Sequence, residues 1–314
     1  MSEQEIEQIT WEEAPEGHKA GFVSLVGRPN AGKSTLFNAF MRQKLAIVTP
    51  SPQTTRIRQL GIVTRPDYQV IFIDTPGLMK PRHKLDEYMV NVAAEALTDA
   101  DVVVWVVDAS DAPGTGDQII SRQLADLGPQ TPVILAMNKA DKLAAEDVLP
   151  RSEAFRALLP NAPWILFSAT KGNGREELWQ MILDALPTGP RYYPADQVTD
   201  LFVRDLAAEL IREQIMLQLR EEVPYGTAVA IQEFKERDNG VIYINANIVV
   251  ERDSHKRILI GAKGKQLQQI GAAARKEIET LTESKVFLEL WVKVVPKWRR
   301  DEKALRRLGY SASE

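Results

Sequence analysis

The run Gly27-Arg28-Pro29-Asn30-Ala31-Gly32-Lys33-Ser34-Thr35 gathers two glycines, a lysine and two hydroxyls in one short stretch. Glycines at that spacing let backbone N–H groups curl around an anionic phosphate, and a helix starting at Lys33 would add its positive dipole end. Lys33 would reach the outer phosphates and Ser34 would ligate Mg2+. A second string, Asn138-Lys139-Ala140-Asp141, ends a buried strand, where a base should lie at the carboxyl edge of a sheet. Asp141 can accept from both guanine N1–H and the exocyclic amine. Adenine offers an acceptor at N1 and no amine at C2, so it would leave the carboxylate unpaired. Asn138 and Lys139 would brace that loop, and Ser168-Ala169-Thr170 can offer a backbone N–H to the guanine oxygen.

A third string, Asp74-Thr75-Pro76-Gly77, is weak alone but falls at the end of a hairpin strand. Asp74 can hold Mg2+ through water, and the Gly77 N–H can sense a γ-phosphate. Between the first helix and that hairpin, "TPSPQTTRIR" (49–58) suits a switch loop. Thr55, or in its place Thr54, would close on Mg2+ when GTP is bound. One expected group is missing. Where a Ras-type enzyme carries a water-positioning glutamine, this chain has Leu78, and slow basal hydrolysis is expected.

These groups need a scaffold. "FVSLVG" (22–27), "LGIVT" (60–64), "VIFID" (70–74), "VVVWVVDAS" (102–110), "PVILAMN" (132–138) and "WILFSA" (164–169) alternate with helical segments. Strands apolar on both faces and separated by helices predict an α/β unit with a mostly parallel sheet, covered on both sides. We assign it to 20–186. Three prolines and a glycine make 187–198 read as a linker. Over 199–296 the pattern becomes α-β-β-α-α-β. A helix is expected over 199–221, a hairpin over 227–251, a helix over 265–282 and a strand over 286–295. A second glycine turn, Gly261-Ala262-Lys263-Gly264, joins two of these helices. Taken alone, it reads as a helix–helix turn.

Composition narrows the functional classes. The chain has 314 residues, 44% hydrophobic and 26% charged, and no cysteine, which suits a two-domain soluble protein without disulfides or thiolate metal sites. His18, His83 and His255 are isolated and argue against a histidine metal site. The longest apolar run falls short of a membrane span, and the N-terminus lacks a signal-peptide pattern. Charge is uneven. Residues 1–17 hold six Glu and no Lys or Arg, and 1–19 reads as an acidic tail. Residues 254–310 hold fourteen Lys and Arg against six Asp and Glu, and 297–314 reads as a basic tail. Either this end meets a polyanion, or it is a solvated charged surface.

The set "GRPNAGKST", "QTTR", "DTPGL", "NKAD" and "SAT", joined to "ILIGAKGKQLQQIG" and "WVKVVPKWRRDEKALRRLGY", resembles the bacterial Era GTPases over about residues 20–310. "SAT" replaces the more usual "SAL", which leaves the backbone contact intact. The resemblance implies a P-loop GTPase domain, then an α+β type II KH domain. It implies binding to the 3′ end of small-subunit ribosomal RNA and a role in assembling the small ribosomal subunit in the cytoplasm, with no DNA partner. Some members associate peripherally with the inner membrane. The KH role assigns Ile260, Gly261, Ala262, Lys263, Gly264 and Lys265 to gripping an RNA backbone. Lys297, Arg299 and Arg300 would add phosphate contacts. Trp291 and Trp298 could stack on bases, although Trp291, inside an apolar strand, is expected in the core. In hydrolysis Lys33, Asn30 and Thr55 would take part. Asn30 matches the residue that helps bind K+ in potassium-activated GTPases of the wider class, or it merely shapes the loop. Two other readings remain: an RNA-binding assembly factor using GTP as a ligand with negligible hydrolysis, and a P-loop ATPase or kinase, which Asp141 opposes.

Overall fold

The structure is a computed structural model, and it describes residues 14–78 and 81–310. The first unit contains β1 (Lys19–Val26), α1 (Lys33–Met41), β2 (Gln59–Arg65), β3 (Tyr68–Asp74), α2 (Lys84–Thr98), β4 (Val102–Asp108) and α3 (Thr115–Ala125). It closes with β5 (Val133–Asn138), α4 (Val148–Arg156), β6 (Trp164–Leu166) and α5 (Arg175–Ala185). The strand order is β2-β3-β1-β4-β5-β6, and only β2 is antiparallel to its neighbour. Residues Val102–Val107 of β4 are all buried, as only a strand covered on both faces allows. The direction of winding changes at β1, between β3 and β4. In such a sheet the crevice beyond the carboxyl ends of these strands is the ligand position.

β6 is three residues shorter than the predicted strand. Phe167 still donates its N–H to Met137 O, but the carbonyl of Phe167 turns to Ala140 N, so Ser168–Thr170 leave the sheet and wrap the crevice.

The second unit contains α6 (Val203–Gln218), β7 (Ala228–Glu236), β8 (Ile242–Val250), α7 (Asp253–Ile260), α8 (Lys265–Thr282) and β9 (Val286–Val294). This is the predicted α-β-β-α-α-β order. β8 is central, antiparallel to β7 and parallel to β9, with Ile242 opposite Val286. Leu210, Ile211 and Ile215 of α6, Ile270, Ala274 and Ile278 of α8, and Ile244, Ala246 and Ile248 of β8 form one core. The opposite sheet face carries Tyr243, Phe287 and Trp291. The predicted first helix is shorter at both ends, because Phe202 and Leu219 take extended backbone.

The segments expected to be a linker and a basic tail are packed. In 187–198, the N–H groups of Tyr192 and Tyr193 donate to the Gln69 side chain, and Val198 O accepts from Ile62 N at the outer edge of β2. After β9, Trp298 is fully buried and Asp301 caps α9 (Glu302–Arg307) through Lys303 N and Ala304 N. Leu305 and Tyr310 pack with Leu85 and Met89 of α2. The basic segment up to Tyr310 is therefore a strap between the two units rather than a solvated end. Residues 1–13 of the expected acidic tail and 311–314 lie outside the described residues. Among the described residues no helix is long and apolar enough to cross a membrane.

Candidate nucleotide site and nucleic-acid interface

A cavity of about 640 Å³ opens at the carboxyl ends of β1, β4 and β5. Its lining includes Arg28, Pro29, Asn30, Gly32, Lys33, Ser34, Thr35, Thr55 and Gly77 at one end, and Asn138, Lys139, Asp141, Ala169 and Thr170 at the other. Gly27, Ala31, Asp74, Thr75, Pro76, Leu78, Ala140 and Ser168 do not line it. Gly32 has φ 101°, and a Cβ there would meet Asn138 Nδ2 at 2.1 Å, so only glycine lets the two ends of the site close together. Asn138 Nδ2 donates to Ala31 O, and its Oδ1 accepts from Ala169 N, both at 2.9 Å. One amide thus ties the phosphate loop to the base end.

Lys33 is buried, and its Nζ donates to Gly27 O and Arg28 O. Burial lowers its pKa to about 8, although the Asp74 carboxylate works in the opposite direction. Burial likewise pushes Asp74 up, against Lys33, Ser34 and Thr55. The Asp74 Oδ2 accepts from Ser34 Oγ at 2.8 Å and from Thr55 Oγ1 at 3.2 Å, while Oδ1 is buried with no hydrogen-bond partner. Two hydroxyls and a carboxylate with a spare buried oxygen fit a hard, water-carrying divalent cation such as Mg2+. Thr54 is turned elsewhere, its hydroxyl bonded to Thr49 and to Ser51 O. The geometry therefore favours Thr55 over Thr54. Asn30 Nδ2 donates to Pro50 O, which links the phosphate loop to the switch segment. Arg28 borders the cavity, but its guanidinium is paired with the buried Asp117 at 3.0 Å.

At the base end the Asp141 carboxylate accepts from Ser168 Oγ at 2.6 Å. Lys139 pairs with Asp108. Burial works against the Asp108 carboxylate, but its bonds from Lys139 and Ser110 prevail and hold its pKa below the ordinary value. Asp108 and Asp111 also line the cavity, and sequence reading missed them. The available signal was the single carboxylate ending the apolar run of β4. Leu78 is only 8% exposed, packs with Ala93 and Leu97, and places no side chain in the cavity.

The second glycine turn lies between α7 and α8. Gly261 has φ 71°, and a Cβ there would meet the Gln266 Cβ at 2.6 Å. Lys263 and Gly264 are also left-handed. Ala262, Lys263 and Lys265 are exposed, and Ile260 and the two glycines are half-buried beside them. Such a turn presents backbone N–H groups and a cation outward, which suits a sugar-phosphate backbone. Lys297 and Arg300 lie beyond the end of β9, near the start of α7. An eight-residue helix, roughly 12 Å long, separates them from the glycine turn.

Three expectations for this surface are corrected. Trp298 is fully buried, with Nε1 donating to Gly226 O at 3.0 Å and its ring stacked on Tyr310, so it does not stack on bases. Trp291 is 59% exposed rather than core, because the strand phase sends Leu288, Leu290 and Val292 toward the helices and residue 291 the other way. Arg299 is engaged by Glu251 at 2.5 Å, which leaves Lys297 and Arg300 as the available cations of that trio.

The two units meet at the switch segment. Arg56 is fully buried and donates to Thr227 O at 2.6 Å and Tyr225 O at 3.0 Å. Arg212 of α6, also fully buried, donates to Thr54 O and pairs with Glu209. Glu213 accepts from Lys44 Nζ at 2.6 Å and Val48 N at 3.0 Å. Thr55, beside Asp74, is thus flanked by two residues held by the second unit. Arg56 falls in the string "QTTR", but nothing in the sequence marked it or Arg212 as a contact between the two units.

Residues 22–139 match the family described as 50S ribosome-binding GTPase, and residues 222–299 match the KH domain family. The chain is 49% identical to the GTPase Era of Halothermothrix orenii, over 93% of this chain and 99% of that one. It is 44% identical to the GTPase Era of Ruminiclostridium cellulolyticum, over 95% and 99%. Among solved structures, Era in complex with MgGDPNP and nucleotides 1506–1542 of 16S ribosomal RNA matches with TM-score 0.90 and 41% identity, over 94% of this chain and all of that one. An Aquifex aeolicus Era variant bound to GDP·AlF4− matches with TM-score 0.89 and 40% identity over the same shares. With a P-loop cavity in one unit, a glycine turn between the helices of a KH unit in the other, and relatives matched over nearly the whole length, the chain belongs to the Era family of GTPases.

Proposed function

We propose that this chain is a GTP-hydrolysing switch whose KH domain binds the 3′ end of 16S ribosomal RNA during assembly of the small ribosomal subunit, in the cytoplasm. The observation that carries the RNA assignment is the likeness, over 94% of the chain, to an Era captured with 16S nucleotides and MgGDPNP. The words "50S ribosome-binding" describe a G-domain family matched only over 22–139, so they weigh less than a relative matched through both domains.

In this reading the loop Gly27–Ser34 cradles the phosphates, Lys33 neutralises them, and Asp141 selects guanine. Ser34, Thr55 and Asp74 would hold Mg2+, which supplies charge stabilisation to the transferring phosphoryl group. Leu78 contributes nothing to orienting water. Beyond Mg2+, charge at the phosphates would come from Lys33 and from a monovalent cation, K+, beside Asn30. The GDP·AlF4− bound by the Aquifex aeolicus variant supports hydrolysis over a purely ligand-like use of GTP.

Phosphate release by the purified chain tests both parts. Basal turnover is expected on the order of 10⁻⁴ to 10⁻² s⁻¹. It should be faster in K+ than in Na+ at equal ionic strength, and faster again with small subunits or their 3′-terminal RNA. Equal rates in both salts remove the K+ assignment. No response to RNA or subunits removes the switch reading and leaves the ligand-only one.

A further inference from the structure

A second cleft, of about 550 Å³, opens between α1 and α5 and shares no lining residue with the nucleotide cavity. Arg42 after α1, Arg65 at the end of β2 and Arg175 at the start of α5 border it, with Glu176 as the carboxylate among the lining residues. Residues 20–186 hold 17 Lys and Arg against 18 Asp and Glu, so three guanidinium groups facing one carboxylate is a local excess. Among the described residues none of the three arginines is in an ion pair, and Arg65 donates only to Thr64 O. Like charges gathered on one opening repel each other, and an anion between them would reverse the sign of that energy.

The wall of the cleft is aromatic. Tyr68 and Trp179 line it half-buried, their rings edge-to-face at 5.9 Å, and Phe40, which also lines it, packs on Trp179 at 5.1 Å. Guanidinium forks match phosphate oxygens in pairs, and aromatic surfaces accept any nucleobase. The volume falls within the range of small-molecule sites. We propose that this cleft binds a phosphate ester carrying a planar base, with Arg42, Arg65 and Arg175 on the phosphate and Tyr68 and Trp179 against the base. The ligand is either a free nucleotide or one nucleotide of a single RNA strand.

The position of the cleft gives occupancy a consequence. Ser168 N donates to Asn173 O and Gly172 N to Ser168 O, both at 2.9 Å, so the segment carrying Arg175 is continuous with the one that holds Asp141. An occupant that fixes Arg175 therefore also steadies the base end of the guanine site. The proposal stands independently of what the glycine turn at Gly261 binds.

Equilibrium dialysis of labelled AMP against the full chain tests it, with GDP filling the guanine cavity. Saturable one-to-one binding is expected, weakened by about tenfold or more in Arg42→Gln/Arg65→Gln, while GDP affinity stays unchanged. A second arm uses a short single RNA strand on a chain carrying Ala262→Asp and Lys263→Asp. Residual RNA binding that the arginine substitutions abolish identifies RNA as the source, and arginine-dependent AMP binding alone identifies a free nucleotide. Both exposed arginines are expected to leave the melting temperature unchanged. If it falls, Arg175→Lys, which keeps the charge and loses the fork, replaces that variant and should weaken the same binding. Absence of saturable binding for both probes, or binding indifferent to all three arginines, overturns the proposal.

Discussion

Asp141 can select the base only if its carboxylate is held at the cavity wall, and the bond from Ser168 Oγ fixes it there. Asp141→Asn exchanges an acceptor for a group that matches xanthine better than guanine. GTP affinity should fall and preference should move toward XTP in competition binding; unaltered GTP affinity would remove the assignment. Leu78 is a different case, because it belongs to the core beside Ala93 and Leu97. Leu78→Gln should cost about 1–3 kcal/mol of stability by burying an amide, and it should give no rise in phosphate release. A Ras-like rate in that variant would show that residue 78 can reach the water after all. Lys33 offers a pH signature in the nucleotide- and Mg2+-free protein. Its folded pKa of about 8 lies below the unfolded value of 10.5. Between these values the unfolded chain binds the extra proton, so the Lys33 contribution to stability rises as pH rises. Melting temperatures of wild type minus Lys33→Met should therefore increase from pH about 8 to about 10. A flat difference would place Lys33 in a less buried site.

At the scale of elements, the turn between α7 and α8 and the segment after β9 contribute different things. Replacing Ala262 and Lys263 by Asp puts two carboxylates where an RNA backbone must approach, yet leaves Gly261 and Gly264 free to hold the turn. RNA binding should be greatly weakened in a filter-binding titration, with GTP affinity nearly unchanged. If the turn only joins two helices, RNA affinity will hardly move. Removing Lys297 and Arg300 should instead weaken binding to all single strands and flatten the salt dependence by about two contacts. The sequence suggested three, but Arg299 is engaged by Glu251.

For the whole molecule, the decisive feature is that switch and KH domain share buried hydrogen bonds. The turn Pro224–Thr227 receives Arg56 from one side and Trp298 from another, and His255 of α7 packs against Gly226. Movement of Thr55 toward or away from Asp74 must therefore carry Arg56 and the carbonyls it binds. Coupling of this kind is reciprocal, so GTP should alter RNA affinity by the same factor as RNA alters GTP affinity. Arg56→Ala leaves those carbonyls without their donor and should cost about 1–3 kcal/mol of stability. The ratio of RNA affinities in the GTP-analogue and GDP states should move toward one. A ratio equal to wild type would mean that the coupling runs through other contacts, such as Glu213 with Lys44 and Val48.

The sequence by itself determined what depends on local backbone chemistry and periodicity. The phosphate loop, the Asn138–Asp141 string and the turn at Gly261 were legible because each needs particular residues at fixed short spacing. The order of strands and helices was legible because Val102–Val107 can be buried only between two layers, and because α6 repeats its apolar residues at helical steps. Tertiary structure decided what depends on meetings between distant segments. Trp291 and Trp298 exchanged their expected places because strand phase and long-range packing set exposure, and neither is written in residue type. Arg56, Arg212 and Asp108 are held by partners 171, 158 and 31 residues away in sequence, and Arg299 lost its expected role to Glu251, 48 residues earlier. A side chain's chemistry is local, but its availability depends on which remote group reaches it first, and only the folded chain fixes that.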